Sequence, residues 1–373
     1  MSLTRASMPA LAGLAVLSLV LYGFCESSVQ PVHAEAYLKK LSAMRLMQRA
    51  ERVIAAVKQE RGIAIDPRND PEGFGVIGPQ FTLITTDRGA QSAKSLAAQP
   101  NFAAAVTQLM LQARVRPGDL VAVGMTGSLP GLNLAVLAAC QAIGADAVII
   151  TSVGASLFGA TDPELTWLDM ESSLVDRRLW TFRSHAASLG GGGDMGRGLS
   201  PAGRDLLRQA IDRNHVQFLD PPTLLEGVKQ RVAIYDSVAT ARAKPISLYI
   251  NVGGGLASLG GTQNGRLIPP GLSRRLRSRN YPNRGVINVF GERGIPVIHL
   301  LQVERLAREL GISQDGANVV KPGTGLLFIH FRYNLWLVAV SALVLFLANL
   351  VVLRRDLRQR LLGQPHPERI PTP

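Results

Sequence analysis

The sequence predicts an α/β protein with an open, mostly parallel β-sheet, helices on both faces of the sheet, and a transmembrane helix at each end. Short apolar runs rich in β-branched residues alternate with helical segments along the middle of the chain, which is typical of a covered parallel sheet. Two longer apolar runs lie near the termini. The chain has 373 residues, of which 47% are hydrophobic and 37 are glycine, a composition that favours a globular protein with many tight turns.

Each terminal apolar run is about long enough to cross a bilayer. The first extends from Met8 to Phe24 and lacks a small-residue cleavage site at its end, so we expect an uncleaved anchor rather than a removed signal peptide. The second, YNLWLVAVSALVLFLANLVVL, begins with Tyr333 and Trp336, aromatic residues that suit a membrane interface. The predicted segments are a cytoplasmic tip with the first transmembrane helix at 1–25 and a second transmembrane helix at 332–353.

Basic residues beside the second run predict the orientation in the membrane. The positive-inside rule assigns the arginines that follow it to the cytoplasm, so both termini are expected there, including a basic tail at 354–373. The main domain is then extracytoplasmic at the cytoplasmic membrane. Three basic residues after the first run, Lys39, Lys40 and Arg45, favour the reverse orientation more weakly. The arginines that set the prediction are Arg354, Arg355, Arg358 and Arg360.

The segment 26–62 predicts an amphipathic stalk helix, because apolar residues recur at helical spacing opposite Lys and Arg. The apolar stripe indicates an ordinary packing face rather than a partner-binding coil. A turn-rich linker, DPRNDPEG, follows it. The α/β alternation then fills the predicted domain at 63–331, with a helix at 132–143 between its first two strands. The predicted strands are LVAVG (120–124), AVIIT (147–151), HVQFL (215–219), ISLYINV (246–252) and PVIHL (296–300).

Residues typical of helix ends and loops predict three further helices and one long loop. Ser200 before Pro201 is an N-cap signal, with Asn214 as the end of that helix. The pair Pro221-Pro222 predicts the start of another helix, and Gly294 the end of a short one. The stretch FRSHAASLGGGGDMGRGLS predicts a mobile glycine loop.

Three predicted strands lead into loops rich in glycine and hydroxyl residues. The carboxyl ends of parallel strands share one edge, where ligands bind, and backbone N–H groups beside a helix N-terminus favour an anion such as a carboxylate. The loop GMTGSLPGLN lacks the lysine of a P-loop, the second glycine of a dinucleotide fingerprint and the glycines of a nucleophile elbow. The glycines could alternatively serve tight turns alone. The predicted ligand contacts are Thr126, Gly127, Ser128, Gly131, Asn133, Ser152, Gly154, Ser156, Asn251, Gly253 and Gly254.

A serine-dependent reaction is the alternative use of the first loop. Ser128 would need a base within hydrogen-bonding distance, and the candidates are His185 in the glycine loop and His299 near the end of its strand. Asp169 and Glu171 are two residues apart and would point away from each other on a helix, so we expect capping or solvent-facing roles for them. The sequence predicts no metal site and no cofactor.

The chain is strongly basic, with 40 Lys and Arg against 27 Asp and Glu. Segment 27–331 alone holds 33 basic and 24 acidic residues, so an anionic partner is favoured. The stretch GRLIPPGLSRRLRSRNYPNRG has one aromatic residue, whereas nucleic-acid surfaces add stacking platforms. A polycarboxylate therefore suits it better than nucleic acid, although a solvated basic loop is the plain alternative. The predicted polymer-binding residues are Arg266, Arg274, Arg275, Arg277, Arg279 and Arg284.

A series of motifs between the two apolar runs resembles the bacterial poly-γ-glutamate system protein family. They occur in the order NFAAAV, VAVGMTGSLPGLNLAVLAA, SVGASLFGATDPELTWLDME, FRSHAASLGG, YINVGGGLASLG and ERGIPVIHL. The resemblance covers nearly the whole chain and implies that the protein works alongside the membrane subunits that make and export poly-γ-glutamate. It does not identify any catalytic residues. We therefore expect an accessory protein that engages the polymer or its ends. The alternatives are a serine-dependent amide hydrolase or transferase acting on the polymer and a scaffold of the synthase complex with no ligand of its own.

Overall fold

The computed structural model describes residues 8–277, 279–312 and 322–362. Contacts divide the chain into two units. The terminal unit combines the two chain ends, up to Ala34 and from Ile329 onward, and the main unit is Glu35–Phe328. Residues 1–7 of the predicted cytoplasmic tip and residues 363–373 of the predicted tail lie outside the described residues.

The helices and strands follow each other in an α/β order. The helices are α1 (Met8–Ser27), α2 (Tyr37–Glu60), α3 (Gln91–Ala97), α4 (Asn101–Gln112), α5 (Pro130–Ile143), α6 (Trp167–Asp176), α7 (Pro201–Arg213), α8 (Leu224–Ala241), α9 (Leu256–Leu259), α10 (Asn264–Leu267), α11 (Val286–Glu292), α12 (Val303–Leu310) and α13 (Leu335–Leu362). The strands are β1 (Gln30–His33), β2 (Thr85–Asp87), β3 (Leu120–Thr126), β4 (Asp146–Ser152), β5 (Ala155–Ser156), β6 (Ser184–Ser188), β7 (Gln217–Phe218), β8 (Ile246–Val252), β9 (Gly271–Ser273), β10 (Val297–Leu300) and β11 (Ile329–Arg332).

Two helices of the terminal unit are long and apolar enough to cross a membrane, namely α1 and the part of α13 from Leu335 to Arg355. Strands β1 and β11 pair antiparallel next to these helices. The Sγ atom of Cys25 in α1 lies 3.5 Å from Oγ of Ser341 in α13, and the backbone N–H of Asn334 donates to Oγ of Ser28. The end of α1 and the start of α13 therefore lie together within this unit.

A seven-stranded sheet in the order β7-β6-β4-β3-β8-β10-β9 forms the centre of the main unit. All neighbouring pairs are parallel except β10 with the edge strand β9. The chain moves from β3 outward to β7 and then returns to place β8 on the other side of β3. The strand order thus reverses between β3 and β8. In open parallel sheets, the loops on either side of such a point diverge and leave a crevice between them. The predicted α/β class and mostly parallel sheet are confirmed.

Both faces of the sheet are covered, which explains the continuous apolar runs. Leu120 and Ala122 of β3 are fully buried in a cluster with residues of α8, α9 and α11. Val121 and Val123 alternate with them and are also fully buried, and α5 contacts β3 and β4. Neither face of the central strand is exposed to solvent.

The predicted stalk helix is a packed part of the main unit instead. Helix α2 contacts α4, α5 and α6, and its apolar stripe, including Met44, Met47 and Ile54, is buried. The apolar periodicity was thus the ordinary sign of a face that packs on neighbouring helices. The turn-rich linker after α2 is also ordered, since the Asp70 carboxylate accepts the backbone N–H groups of Phe74 (2.9 Å) and Gly75 (2.7 Å).

Several predicted boundaries shift for local reasons. The predicted mobile loop begins with strand β6, which pairs with β4 and β7, and the predicted strand 215–219 shortens to β7 because His215 has a left-handed backbone (φ 54°). Helix α8 begins after Thr223, whose Oγ1 accepts the N–H of Glu226 (3.2 Å). The Ser200 cap is confirmed, because its Oγ accepts the N–H of Gly203 (3.1 Å).

Candidate functional site

A cleft of about 610 Å³ lies at the carboxyl edge of the sheet, at the reversal between β3 and β8. Loops from several parts of the chain converge there because the parallel strands all end at this edge. The residues that line it include Asp87, Arg88, Gly89, Lys94, Thr126, Ser128, Ser152, Gly154, Ser156, Asp194, Arg197 and Gly254. Six of the predicted ligand contacts therefore meet in one site.

The other five predicted contacts support the wall of the cleft from behind. The buried Asn133 side chain donates to the carbonyl oxygen of Thr126 (2.9 Å), and Asn251 donates to that of Gly253 (2.8 Å). Gly127 and Gly131 allow close backbone approach: an added Cβ would lie 2.2 Å from Val153 O and 2.5 Å from Ala97 O, respectively. These residues fix the loops rather than line the cleft.

Thr126 ends β3 and presents a hydroxyl at the reversal point. The residue is 5% exposed, and its Oγ1 has no hydrogen-bond partner among the described residues. Gly253 packs against it, because an added Cβ there would lie 2.4 Å from Oγ1. A buried hydroxyl without a partner is costly, so this group can gain a hydrogen bond when a ligand enters.

Lys94 projects from α3 into the same cleft and is only 6% exposed. Its Nζ donates to Ser156 Oγ (2.7 Å) and to the backbone carbonyl of Ser128. No carboxylate of the described residues pairs with this cation. Burial lowers the pKa of Lys94 from 10.5 to about 8, because removal from water disfavours the charged form.

Ser128 and Ser156 lie side by side, since the backbone N–H of Ser156 donates to Ser128 Oγ (3.0 Å). Neither histidine predicted as a base for Ser128 is a hydrogen-bond partner of its Oγ. His185 lies within β6, where its Nδ1 accepts the N–H of Ile149 (3.5 Å), three residues before the strand ends and thus roughly 10 Å from the edge. Its prediction as a loop base is wrong.

His299 is a core residue of β10, two strands away from β3. It is fully buried, and its Nδ1 lies 2.9 Å from the side-chain nitrogen of Asn251. Burial lowers the pKa of His299 to about 4, partly offset by the backbone carbonyl of Gly265. His299 is therefore neutral at pH 7 and bonded to Asn251 within the core, and it is not a hydrogen-bond partner of Ser128, for which it was predicted as the base.

The glycine-rich loop after β6 is held by a buried ion pair. Asp194 and Arg231 are 2.7 Å apart and almost fully buried. Ser152 donates to the Asp194 carboxylate (2.7 Å), and Arg231 donates to Ser188 Oγ (2.8 Å). The loop predicted to be mobile is thus tied to the ends of β4 and β6 where it lines the cleft, and sequence reasoning missed this pair.

The two carboxylates of α6 have structural partners. Asp169 caps the helix at Thr166 and pairs with Arg213 (2.6 Å). Glu171 accepts both the N–H (2.6 Å) and the hydroxyl (3.0 Å) of Ser184, and burial raises its pKa to about 7. In the part of the chain that the structure describes, no group of three His, Cys, Asp or Glu is placed to hold a metal ion.

The six arginines predicted as a polymer surface are exposed, and none of them is among the residues that line the cleft. Arg274 donates to the carbonyl of Gln112 at the end of α4, and Arg284 pairs with Glu292 (3.2 Å). The basic residues that line the cleft are Arg88, Lys94 and Arg197, none of which was predicted. A lone lysine in QSAKSLAAQP carries no motif that would have identified it.

The fold and the cleft define an α/β protein with a polar site at the carboxyl edge of a parallel sheet. The chain matches no protein-family model, no curated protein and no solved structure.

Proposed function

We propose that this protein is a membrane-anchored component of poly-γ-glutamate synthesis or export that binds the polymer, or one of its ends, in the cleft at the carboxyl edge. The sequence resemblance supports the pathway, and the cleft supports a carboxylate ligand. The observation that carries the proposal is the Lys94 ammonium, which is buried in the lining and has no acidic partner among the residues that the structure describes.

An ammonium group has three N–H donors, and two of those on Lys94 are used by Ser156 and the Ser128 carbonyl. The third can donate to a ligand carboxylate, which also neutralises the buried charge. Such charge-assisted hydrogen bonds are about twice as strong as neutral ones. The hydroxyl of Thr126 supplies a further donor in the same cleft.

The charges around Lys94 fit the end of a γ-glutamyl chain. Arg88 and Arg197 line the cleft and are exposed, so they can attract carboxylates. Asp87 also lines it, and its carboxylate suits the ammonium of a free amino terminus. The amino end of the chain carries both charges, whereas the interior and the other end of the polymer carry carboxylates only.

The terminal unit supports anchoring with both termini on one side of the membrane. The end of α1 and the start of α13 meet beside the β1–β11 pair, so both helices leave that pair in the same direction. The arginines after α13 favour the cytoplasm for the termini, and the main unit is then extracytoplasmic. Protease added outside spheroplasts is expected to digest the main unit and spare the termini; its full protection would contradict this orientation.

Binding of a defined γ-glutamyl oligomer to the full chain in detergent tests the ligand. We expect Lys94→Met to weaken binding at least tenfold, because the variant keeps the shape and removes the charge. Lys229→Met is the matched control, since Lys229 is exposed on α8 and pairs with Glu226 at 3.6 Å. Equal affinity of the wild type and both variants, or no binding by the wild type, would contradict the proposal and leave the scaffold alternative.

A further inference from the structure

The contact between Lys94 Nζ and Ser156 Oγ, at 2.7 Å, joins a buried amine directly to a hydroxyl in the lining of the cleft. Serine hydroxyls become nucleophiles when a base lies within hydrogen-bonding distance, and lysine serves as that base in Ser–Lys enzymes. We infer that Ser156 is the nucleophile and Lys94 the general base of an acyl transfer on an amide or ester whose acyl part carries a carboxylate. The inference rests on the proposed function only for that carboxylate, which Arg88 or Arg197 of the lining would bind while Lys94 acts as the base.

Lys94 is suited to the role because its surroundings favour the neutral amine. Both of its partners are uncharged oxygens, and burial lowers its pKa to about 8. About one tenth of the side chains are then neutral at pH 7, and half at pH 8. A base is most effective when its pKa lies near the working pH.

The hydrogen bonds distinguish Ser156 from Ser128. Lys94 contacts the hydroxyl of Ser156 but only the backbone carbonyl of Ser128. The Ser128 carbonyl therefore orients the amine, while the amine's lone pair can accept the Ser156 proton. The Ser128 hydroxyl accepts the backbone N–H of Ser156 (3.0 Å), which fixes the loop that carries the nucleophile. Ser128 is thus a positioning residue.

The proposed acyl transfer proceeds in two steps and needs water, or an acceptor amine, as its co-reactant. Neutral Lys94 takes the hydroxyl proton of Ser156 as Oγ attacks the substrate carbonyl carbon, and the resulting ammonium returns a proton to the departing amine or alcohol. The product of this step is an ester at Ser156. Water, or an acceptor amine, then attacks that ester and gives a proton to Lys94, which passes it to the departing Ser156 oxygen.

Gly89 keeps the approach to this pair open. It lines the cleft, and an added Cβ at position 89 would lie 3.0 Å from Ser156 Oγ and 3.2 Å from Lys94 Cε. A side chain at this position would therefore crowd both reacting groups. The small residue is consistent with a substrate that must reach Ser156.

Labelling of the full chain by a fluorophosphonate, with the modified residue mapped by mass spectrometry, tests the pair. We expect modification of Ser156 at a rate that rises with pH to a plateau above about pH 8, because the neutral amine is the base. Ser156→Ala and Lys94→Met should each lower labelling at least a hundredfold. Ser237→Ala, an exposed serine on α8, is the control and should label as the wild type does.

The outcomes separate this inference from the proposed function. No labelling of the wild type between pH 6 and 10, modification of Ser128 instead, or full labelling of Lys94→Met would each overturn the assignment. The same preparations are tested for binding of the γ-glutamyl oligomer, which Ser156→Ala should retain. If the protein binds the oligomer but is not labelled, it is a binding protein and the acyl-transfer inference is wrong. If it is labelled but does not bind the oligomer, the site transfers the acyl group of another substrate, and the carboxylate part of the inference is wrong.

Discussion

Two buried cations approach the same edge of the sheet, and their partners differ. Arg231 is paired with the Asp194 carboxylate at 2.7 Å and also bonds Ser188. Lys94 is about as buried, but within the described part of the chain its bonds go to a hydroxyl and a backbone carbonyl and to no carboxylate. A buried charge is costly unless it is paired. The paired cation therefore holds the fold together, whereas the unpaired one is available to a ligand or a reaction.

The largest effect is expected from removing the partner of Arg231. Asp194→Ala should lower the free energy of unfolding by about 3–5 kcal/mol, because it leaves a buried, uncompensated charge. Urea denaturation of the full chain in detergent measures this. The double variant Asp194→Leu with Arg231→Met should be clearly more stable than Asp194→Ala; if it is equally unstable, the ion pair is not the cause.

The free energy of unfolding should depend on pH, because Lys94 is a buried cation without an acidic partner among the described residues. Its pKa is about 8 in the folded protein against an ordinary value of 10.5, so the unfolded chain binds more protons between these values. The free energy of unfolding should therefore rise from about pH 8 to 10.5, by an amount on the order of 3 kcal/mol. The rise should be smaller by about that amount in Lys94→Met, since burial also lowers the pKa of Lys40 and Lys58 and their share remains. An identical pH profile in both proteins would refute the shift of Lys94.

A smaller effect is expected from the glycines that follow β8. Gly253 has φ +84° and faces Thr126 Oγ1, so Gly253→Ala should cost about 1–3 kcal/mol of stability through strain and crowding. Gly254→Ala is the control, because an added Cβ there meets open space. The midpoint temperatures of thermal unfolding of the two variants test this. Equal midpoints would show that the loop has room for a side chain at position 253.

The smallest effect is expected from the exposed arginines. Replacing Arg274, Arg275, Arg277 and Arg279 together by serine should weaken oligomer binding only a few-fold, because exposed charges are screened over roughly 8–10 Å at near-physiological ionic strength. The loss should shrink further as salt is raised. A loss as large as that of Lys94→Met would move the main binding site from the cleft to the arginine surface.

The sequence predicted the parts of the fold that depend on local pattern. Strands β3, β4, β8 and β10 are apolar runs covered on both faces, whose composition alone indicates burial. Strand β6 was missed because its residues, SHAAS, are small or polar, and its place is set by pairing with β4. The glycine-rich loops that follow β3, β4 and β8 all contribute residues to the cleft, as expected for parallel strands that end at the same edge of the sheet.

The decisive residue of the site was not predictable in the same way. Lys94 contacts Ser128 and Ser156, which are 34 and 62 residues further along the chain. Its burial therefore follows from tertiary packing, whereas a lysine in a short helix is ordinarily exposed. The two histidines do not bond Ser128, because His185 lies three residues before the end of β6 and His299 is buried in β10, two strands from β3, where it bonds Asn251.

Calorimetric titration of the full chain with a γ-glutamyl oligomer between pH 6.5 and 9.5 tests the central claim about Lys94 most directly. A carboxylate bound to the ammonium raises the pKa of Lys94 above about 8, so binding should take up a proton near and above that pH. The account predicts affinity that falls as the pH rises through about 8 in the wild type, and weak, nearly pH-independent binding in Lys94→Met. Strong binding with the same pH dependence in both proteins would contradict it.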